Sequence, residues 1–592
     1  MASTSTHKRY WLLGLLFLIF CGIGYWMWGR PADPEAELNQ LNDFFSHDDL
    51  IWWGQYLPVP LTGMDAYSIR EPQVINKRLA SREQHYQEQL REFQTLSAQE
   101  KNPLIKAKLE TMSWYMDLQL RGKPFLYHSF PLNPFSGNQI AFPLEIELRH
   151  PIRTGDAALE FVNRVPGYAQ QLLQITQWTT QQADKGLLPP IPILDRSIRQ
   201  LENYVAVEAT QHPLYFAFAR ILTELPSTEI NEYTATDLLI QMAGMLDNHL
   251  YPVYRQLAAH LIDLKAQAKV EGGAASLPDG KSYYQYCLEY YVGQEADPAL
   301  IRTFAQREVK ALRQILDQLS EELDLRTPSQ VDSLTADQID ARKQVFKQTT
   351  REMRRKTKGI FSIVPAYGPV ISSMPSLLTE AGWMVRFQPA STLSAEKSSL
   401  FLNLETNHGY TEGNMIPLAY TYGIPGKYLA SNYLSPTDIR HRIRIPSWEN
   451  GWALYAASLP VTDLRMLEDR PQVYAGYLQL RLRHAALALV DVQLNTLQWT
   501  RQEAIDYLVA QVYVPKDVAE MEVDKCLALP GFACSFLLGE MKFQEIRSDI
   551  MEGMENELSL KDFHDWILEL GPMPFDLLDN YAQDFIQKKL AG

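Results

Sequence analysis

The sequence predicts a mainly α protein: a large multi-helix body with a small β element beside a central cleft, plus an N-terminal transmembrane helix. Three observations predict it. From about Leu38 onward, apolar and charged residues mix at helical spacing, with frequent helix-start signals. Strand-like segments are short and few. The first thirty residues hold an apolar run about twenty residues long, the length a helix needs to cross a bilayer.

That run is Tyr10 to Gly29, uncharged and preceded by Lys8-Arg9. The basic pair favours a cytoplasmic N-terminus, and Tyr25, Trp26 and Trp28 suit the far interface. A cleaved signal peptide would need a small-x-small site, but Tyr25-Trp26-Met27-Trp28 is bulky throughout. A lipoprotein signal would need a small residue before Cys21, and Phe20 is not small. Residues 1–30 are read as a signal-anchor, with residues 10–29 in the inner membrane. The body is then expected in the periplasm, or otherwise outside the cytoplasm.

Residues 31–37 form a polar linker to the body. A chain of 592 residues is too long for one ordinary core, so two or more lobes are expected. The Gly272-Gly273-Ala274-Ala275-Ser276 segment divides an N-terminal helical lobe (31–275) from a C-terminal one (276–592). Asp297-Pro298 supplies an N-cap and a first-turn proline for a helix running to about Leu323. Thr335-x-x-Gln338 and Thr500-x-x-Glu503 are capping-box patterns. Ser447 is the expected N-cap of a helix holding Trp452 and Tyr455, with Pro460 ending it. The β element is assigned to Ile140–Ile146, Gly382–Pro389 and Ser399–Leu404. The stretch Gly186–Leu194 reads as a loop, and no internal repeat is apparent.

Hydrophobic residues make up 46% and charged residues 21%, a globular composition. Net charge is −15, with no overall basic region to suggest nucleic acid. One local run, Arg342, Lys343, Lys347, Arg351, Arg354, Arg355, Lys356 and Lys358, is opposed only by Glu352. It reads as a solvated helix face, with anionic lipid or an acidic partner as the functional alternative. Beyond Cys21 there are Cys287, Cys526 and Cys534, without metal-type spacing. They read as buried small hydrophobes, although Cys526 and Cys534 could pair where geometry allows. Trp52 and Trp53 are assigned to core packing.

Two segments carry the functional reading: Tyr420-Thr421-Tyr422-Gly423-Ile424-Pro425-Gly426-Lys427-Tyr428 and Trp448-Glu449-Asn450-Gly451-Trp452-Ala453-Leu454-Tyr455-Ala456. With Gly280-Lys281-Ser282-Tyr283-Tyr284, Phe401-Leu402-Asn403-Leu404, Trp499 to Tyr507 and Phe563-His564-Asp565, they resemble the bacterial family called domain of unknown function 885. That resemblance implies a gluzincin-like, zinc-dependent peptidase body, secreted or held at the envelope. The family's active-site pattern is His-Glu-x-x-Pro-Gly-His-His. Here Pro425 and Gly426 stand in place, whereas Thr421, Tyr422, Lys427 and Tyr428 replace the histidines and glutamate. In the second pattern, Phe-x-Glu-Gly-Trp-Ala, Asn450 replaces the glutamate while Gly451, Trp452 and, further on, Tyr455 remain. An Asp-x-Gly-x-His segment keeps Asp491 and has Asn495 for histidine. A Pro-Gly-Gln-Ala-x-x-Tyr-Lys segment keeps Pro530 and Gly531 and has Phe532, Phe536 and Leu537 at its polar positions.

Framework residues persist while polar site residues are replaced together. A catalytic zinc needs about three thiolate, carboxylate or imidazole ligands and an open position for water. Thr421, Lys427 and Asn450 supply none, and the Lys427 ammonium could instead balance a nearby acid such as Glu449. No metal or other cofactor is expected. The sequence is read as a pseudo-metallopeptidase whose cleft binds a peptide or protein partner, or serves as a scaffold. The alternative is an active zinc peptidase with relocated ligands, drawn from Glu449, His408, Glu412 and His441. A metal-free hydrolase finds no Gly-x-Ser-x-Gly elbow, and His484 and His564 are assigned core or surface roles.

Overall fold

The computed structural model describes residues 34–47, 72–149, 152–268, 272–323, 334–390, 397–404, 412–435, 438–441, 443–554 and 558–591. The helices before the β element are α1 (Pro34–His47), α2 (Pro72–Gln99), α3 (Pro103–Arg121), α4 (Asn138–Arg149), α5 (Gly155–Asp184), α6 (Ile191–Val205), α7 (Pro213–Glu224), α8 (Glu232–Met245), α9 (Tyr251–Gln267), α10 (Gly280–Val292), α11 (Pro298–Ser320) and α12 (Ala336–Lys356). The short α13 (Ser376–Glu380) lies among the strands. After them come α14 (Glu412–Tyr422), α15 (Lys427–Ser431), α16 (Pro446–Thr462), α17 (Pro471–Asn495), α18 (Arg501–Val512), α19 (Lys516–Ala528), α20 (Cys534–Gly553), α21 (Leu560–Leu570) and α22 (Phe575–Ala591).

The cap chemistry starts the helices where the sequence places them. Asp297 accepts from the Ala299 amide ahead of Pro298. Thr335 with Gln338, and Thr500 with Glu503, both close full capping boxes. Ser447 does not cap α16. That helix begins at Pro446 behind Ile445, and Pro460 lies within its last turn, the helix ending at Thr462.

The β element is a three-stranded sheet in the order β1-β3-β2. Its strands are β1 (Val370–Ser373), β2 (Val385–Gln388) and β3 (Ser399–Leu402). β3 runs parallel to β1 and antiparallel to β2, so the last two expected strands pair with each other. Residues 140–146 are helical, inside α4, and β1 takes their place in the sheet. Ile140, Ala141, Leu144 and Ile146 are all buried, and the Leu144-Glu145-Ile146 alternation is as much a strand pattern as a helical one.

Two large hydrophobic cores organise the described residues, with a third, small one where Phe346 of α12, Val385, Leu400 and Leu402 of the sheet, and Met415 and Ala419 of α14 meet. The larger gathers Tyr86 to Phe135 with most helices after Gly280, including the wholly buried Trp452, Tyr420 and Tyr455. The second gathers residues between Leu132 and Leu264 with Met374, Leu377 and Leu378. Segment 31–275 thus contributes to both. Helix α6 stands between them, with Ile193 in the first core and Leu194, Ile198, Leu201 and Tyr204 in the second.

The expected fold class needs one correction. The body is mainly helical, but among the described residues no helix is long and apolar enough to cross a membrane. Residues 10–29, on which the transmembrane expectation rests, lie outside the described residues, as do Trp52, Trp53 and His408. The described fold therefore contains no membrane-spanning helix. Cys287, Cys526 and Cys534 are buried free thiols, so the considered 526–534 pairing is not formed.

Candidate functional site

The site is built by two helices that touch through glycine. A Cβ on Gly451 of α16 would sit 2.4 Å from the Gly539 backbone of α20, and one on Gly539 would meet the Ser447 carbonyl at 2.2 Å. This approach sets Asn450 beside Ser535, and the Asn450 amide donates to Ser535 Oγ at 2.8 Å. On the facing side, Ile424-Pro425 is a cis peptide. A side chain at Gly426 would strike the Thr421 carbonyl at 1.8 Å. The Trp452 indole donates to the Pro425 carbonyl at 3.2 Å and ties that turn to α16.

These constraints deliver Lys427 onto Asn450. Lys427 Nζ donates to Asn450 Oδ1 at 2.5 Å. The same ammonium lies 5.4 Å from the Tyr422 ring centre and 5.7 Å from that of Phe536. His484 of α17 stacks on Phe536 with centroids 4.1 Å apart and planes 18° apart. Phe532 meets Phe536 edge-on at 6.3 Å and Trp383 at 6.1 Å. Lys427, Tyr422, Phe532 and His484 are half-buried, whereas Asn450 and Phe536 are buried. Five positions singled out from sequence, Tyr422, Lys427, Asn450, Phe532 and Phe536, therefore converge. His484, Ser535 and Arg444 join them without any sequence motif having marked them as site residues.

The remaining positions go elsewhere. Thr421 is wholly buried and its hydroxyl donates to the Pro417 carbonyl of its own helix at 2.8 Å. Tyr428 donates to the Tyr367 carbonyl at 2.9 Å, and Leu537 packs in the larger core. Asp491 and Asn495 form a separate buried node. Asp491 accepts from the Tyr284 hydroxyl at 2.8 Å and from the Gly531 amide at 2.8 and 3.0 Å, holding the turn after Pro530 where Gly531 has φ +86°. Asn495 donates to Asp491 and to the Cys526 carbonyl, and accepts from the Ala274 amide. Burial pushes the Asp491 carboxyl up to about 7 against the pull of those donors. Tyr455 pairs with His564 at 2.9 Å, deep in the larger core.

Glu449 is not the counter-ion of Lys427. Arg444 takes both of its oxygens, at 2.8 and 2.5 Å. Burial lowers the Lys427 ammonium to about 8, with Glu449 opposing that shift and Arg444 and Arg386 adding to it. Burial likewise depresses His484 to about 3, so its imidazole is neutral.

This donor set does not fit a zinc ion. The converging groups are an ammonium, a neutral amide, a serine hydroxyl and aromatic rings, where zinc takes thiolate, imidazole or carboxylate. Among the described residues no group of three or more His, Cys, Asp or Glu side chains is placed to hold a metal. A cavity of about 480 Å³ lies between α6, the residues leading into β2, and α19; Lys427, Asn450 and Phe536 do not line it, and Arg483, beside His484 in α17, does. Arg196, Arg483, Arg501, Glu522 and Asp524 line it, and Arg483 and Glu522 also act on the Tyr422 hydroxyl. That volume is within the range of small-molecule and short-peptide sites.

Fold and site together define a mainly helical body with two large cores and a smaller one, a small sheet, and an ammonium–amide pair set among aromatic rings. The chain belongs to the family described as bacterial protein of unknown function, DUF885, whose model matches residues 63–581. A candidate lipoprotein from Colwellia psychrerythraea shares the fold with a TM-score of 0.81 at 20% identity, over 94% of this chain and 100% of that one. A candidate lipoprotein of unknown function from Shewanella oneidensis aligns with a TM-score of 0.58 at 12% identity, over 95% of this chain and 100% of that one. No curated protein matches the sequence significantly.

Proposed function

We propose that this protein is an envelope-associated, extracytoplasmic binding protein that holds a peptide or protein segment in its cleft without cleaving it. The observation that carries this reading is the Lys427–Asn450 hydrogen bond. It places an ammonium against a neutral amide, at positions where the family pattern has histidine and glutamate. A cation at that point repels a divalent metal, and without an acidified water the usual source of peptidase rate is lost. Aromatic rings around Lys427, and a cavity that shares Arg483 with the field of Tyr422, suit binding without turnover. The structural likeness to two candidate lipoproteins supports the envelope location. The alternative, a zinc peptidase with relocated ligands, draws no support from Glu449, whose carboxylate is engaged by Arg444.

The test is elemental analysis and peptide turnover on full-length protein purified without chelators. Sub-stoichiometric zinc, no hydrolysis and co-purifying peptides are expected. Stoichiometric zinc with chelator-sensitive hydrolysis would overturn the proposal.

A further inference from the structure

The Lys427 ammonium is incompletely satisfied. Its one hydrogen-bond acceptor among the described residues is Asn450 Oδ1, a neutral oxygen. The nearest acid in its field, Glu449, is held by Arg444, and Arg386 adds further positive potential. Two of its three N–H groups have no acceptor among the described residues. The Tyr422 and Phe536 rings, 5.4 and 5.7 Å away, stabilise the charge. Rings do not replace the hydrogen bonds that water would give those two N–H groups. A half-buried cation of this kind is completed by an anion.

The surroundings select which anion. A phosphate is a multiply charged tetrahedral group, best held by several donors or an arginine fork. Here the donor at the rings is one ammonium, Arg444 being engaged by Glu449, and the Asn450 carbonyl oxygen beside it repels further anionic oxygens. Its walls are the faces and edges of Phe532 and Phe536, and a neutral imidazole at His484. A planar, singly charged group on an apolar stem fits those walls.

We propose that Lys427 binds a carboxylate of the ligand, the chain-terminal carboxylate of a peptide, with the adjoining apolar side chain against Phe532 and Phe536. This inference rests on the cleft being a binding site, and names the group that the site recognises.

The experiment measures retention on the full-length protein of three mixed-sequence tripeptide libraries. One has free C-termini, one is C-terminally amidated, and one is amidated with a fixed central glutamate. The free-acid library should be retained at least tenfold better than the amidated one. Lys427→Met should abolish that preference, and Lys427→Arg should restore part of it. Lys427→Gln replaces Lys427→Met if the latter does not fold. Retention of the glutamate library at the free-acid level would assign the site to side-chain carboxylates instead of the chain terminus. Equal retention of acid and amide, or a preference that survives in Lys427→Met, would overturn the carboxylate inference and leave the cleft as a binding site. Retention of no library would overturn both.

Discussion

At the scale of single residues, buried polar groups make the sharpest demands. Asp491 satisfies Tyr284, Gly531 and Asn495 at once, all inside the core. Asp491→Ala strands the Tyr284 hydroxyl and the Gly531 amide, each worth about 1–3 kcal/mol when left unpaired, while Asn495 keeps the Asp491 and Cys526 carbonyls. A loss of about 3–5 kcal/mol in urea unfolding is expected, whereas Asp491→Asn keeps one acceptor and should lose less. His564 gives a pH signature. Its Nδ1 faces the Ile360 carbonyl at 2.9 Å, which can only accept, so that nitrogen carries the proton. Nε2 then accepts from the Tyr455 hydroxyl. Burial lowers this imidazole to about 4, with Arg547 pushing the same way and Asp463 and Asp565 opposing. A depressed histidine stabilises the fold above its unfolded value of about 6.5, and that contribution is lost as pH falls through the folded value. The interval corresponds to about 3 kcal/mol. The stability advantage of the wild type over His564→Gln should therefore be full at pH 7 and shrink between about pH 6.5 and 4; Asp491, raised to about 7, works in the opposite sense over that window in both proteins.

At the scale of elements, the glycine crossing of α16 and α20 governs the site. The backbones are already in contact at Gly451 and Gly539, so a methyl there cannot be absorbed by turning a side chain. Gly451→Ala should cost about 3 kcal/mol through overpacking, seen as a lower midpoint in thermal or urea unfolding. It should also separate Asn450 from Ser535 and from Lys427. Much of this level was legible in sequence because helix starts are local chemistry: Asp297, Thr335 and Thr500 each cap within three residues of themselves. Helix α4 was not legible, since a short apolar run broken by Glu145 and Glu147 at every second residue fits a strand as well as a helix. Strand β1 is four residues long, half of them serine, and carries no alternation to detect. The site divides the same way. Motif spacing brought Lys427 to Asn450, but Thr421 turned inward because a threonine in a helix can bond the carbonyl four residues back. His484 reaches the site from α17, far along the chain, and only packing of α17 on α20 reveals it.

At the scale of the whole molecule, the two cores are joined across a charged seam. Asp524 of α19 is wholly buried. It accepts from Arg196 of α6 at 2.5 Å and from Arg501 of α18 at 2.6 and 2.9 Å. Trp383 adds a second link, donating to the Phe135 carbonyl at 3.2 Å while Lys525 sits 4.7 Å above its ring. Because Arg196 and Asp524 also line the 480 Å³ cavity, the seam that couples the cores is one wall of the candidate ligand site. Removing one partner of a buried pair typically costs about 3–5 kcal/mol, but Arg501 remains on Asp524 and should limit the cost to the lower end. Arg196→Ala is therefore expected to lose about 3 kcal/mol and to uncouple the cores. Calorimetry should show one transition in the wild type resolving into two, with the core around α5 and α9 melting first, because it alone loses its charged tie to α19. Ligand bound in the cavity should merge the two transitions again, since binding that spans the seam stabilises only the joined state. A single unshifted transition in Arg196→Ala would mean that the apolar packing of α6, through Ile193 on one side and Leu194 and Leu201 on the other, holds the cores together without the charge.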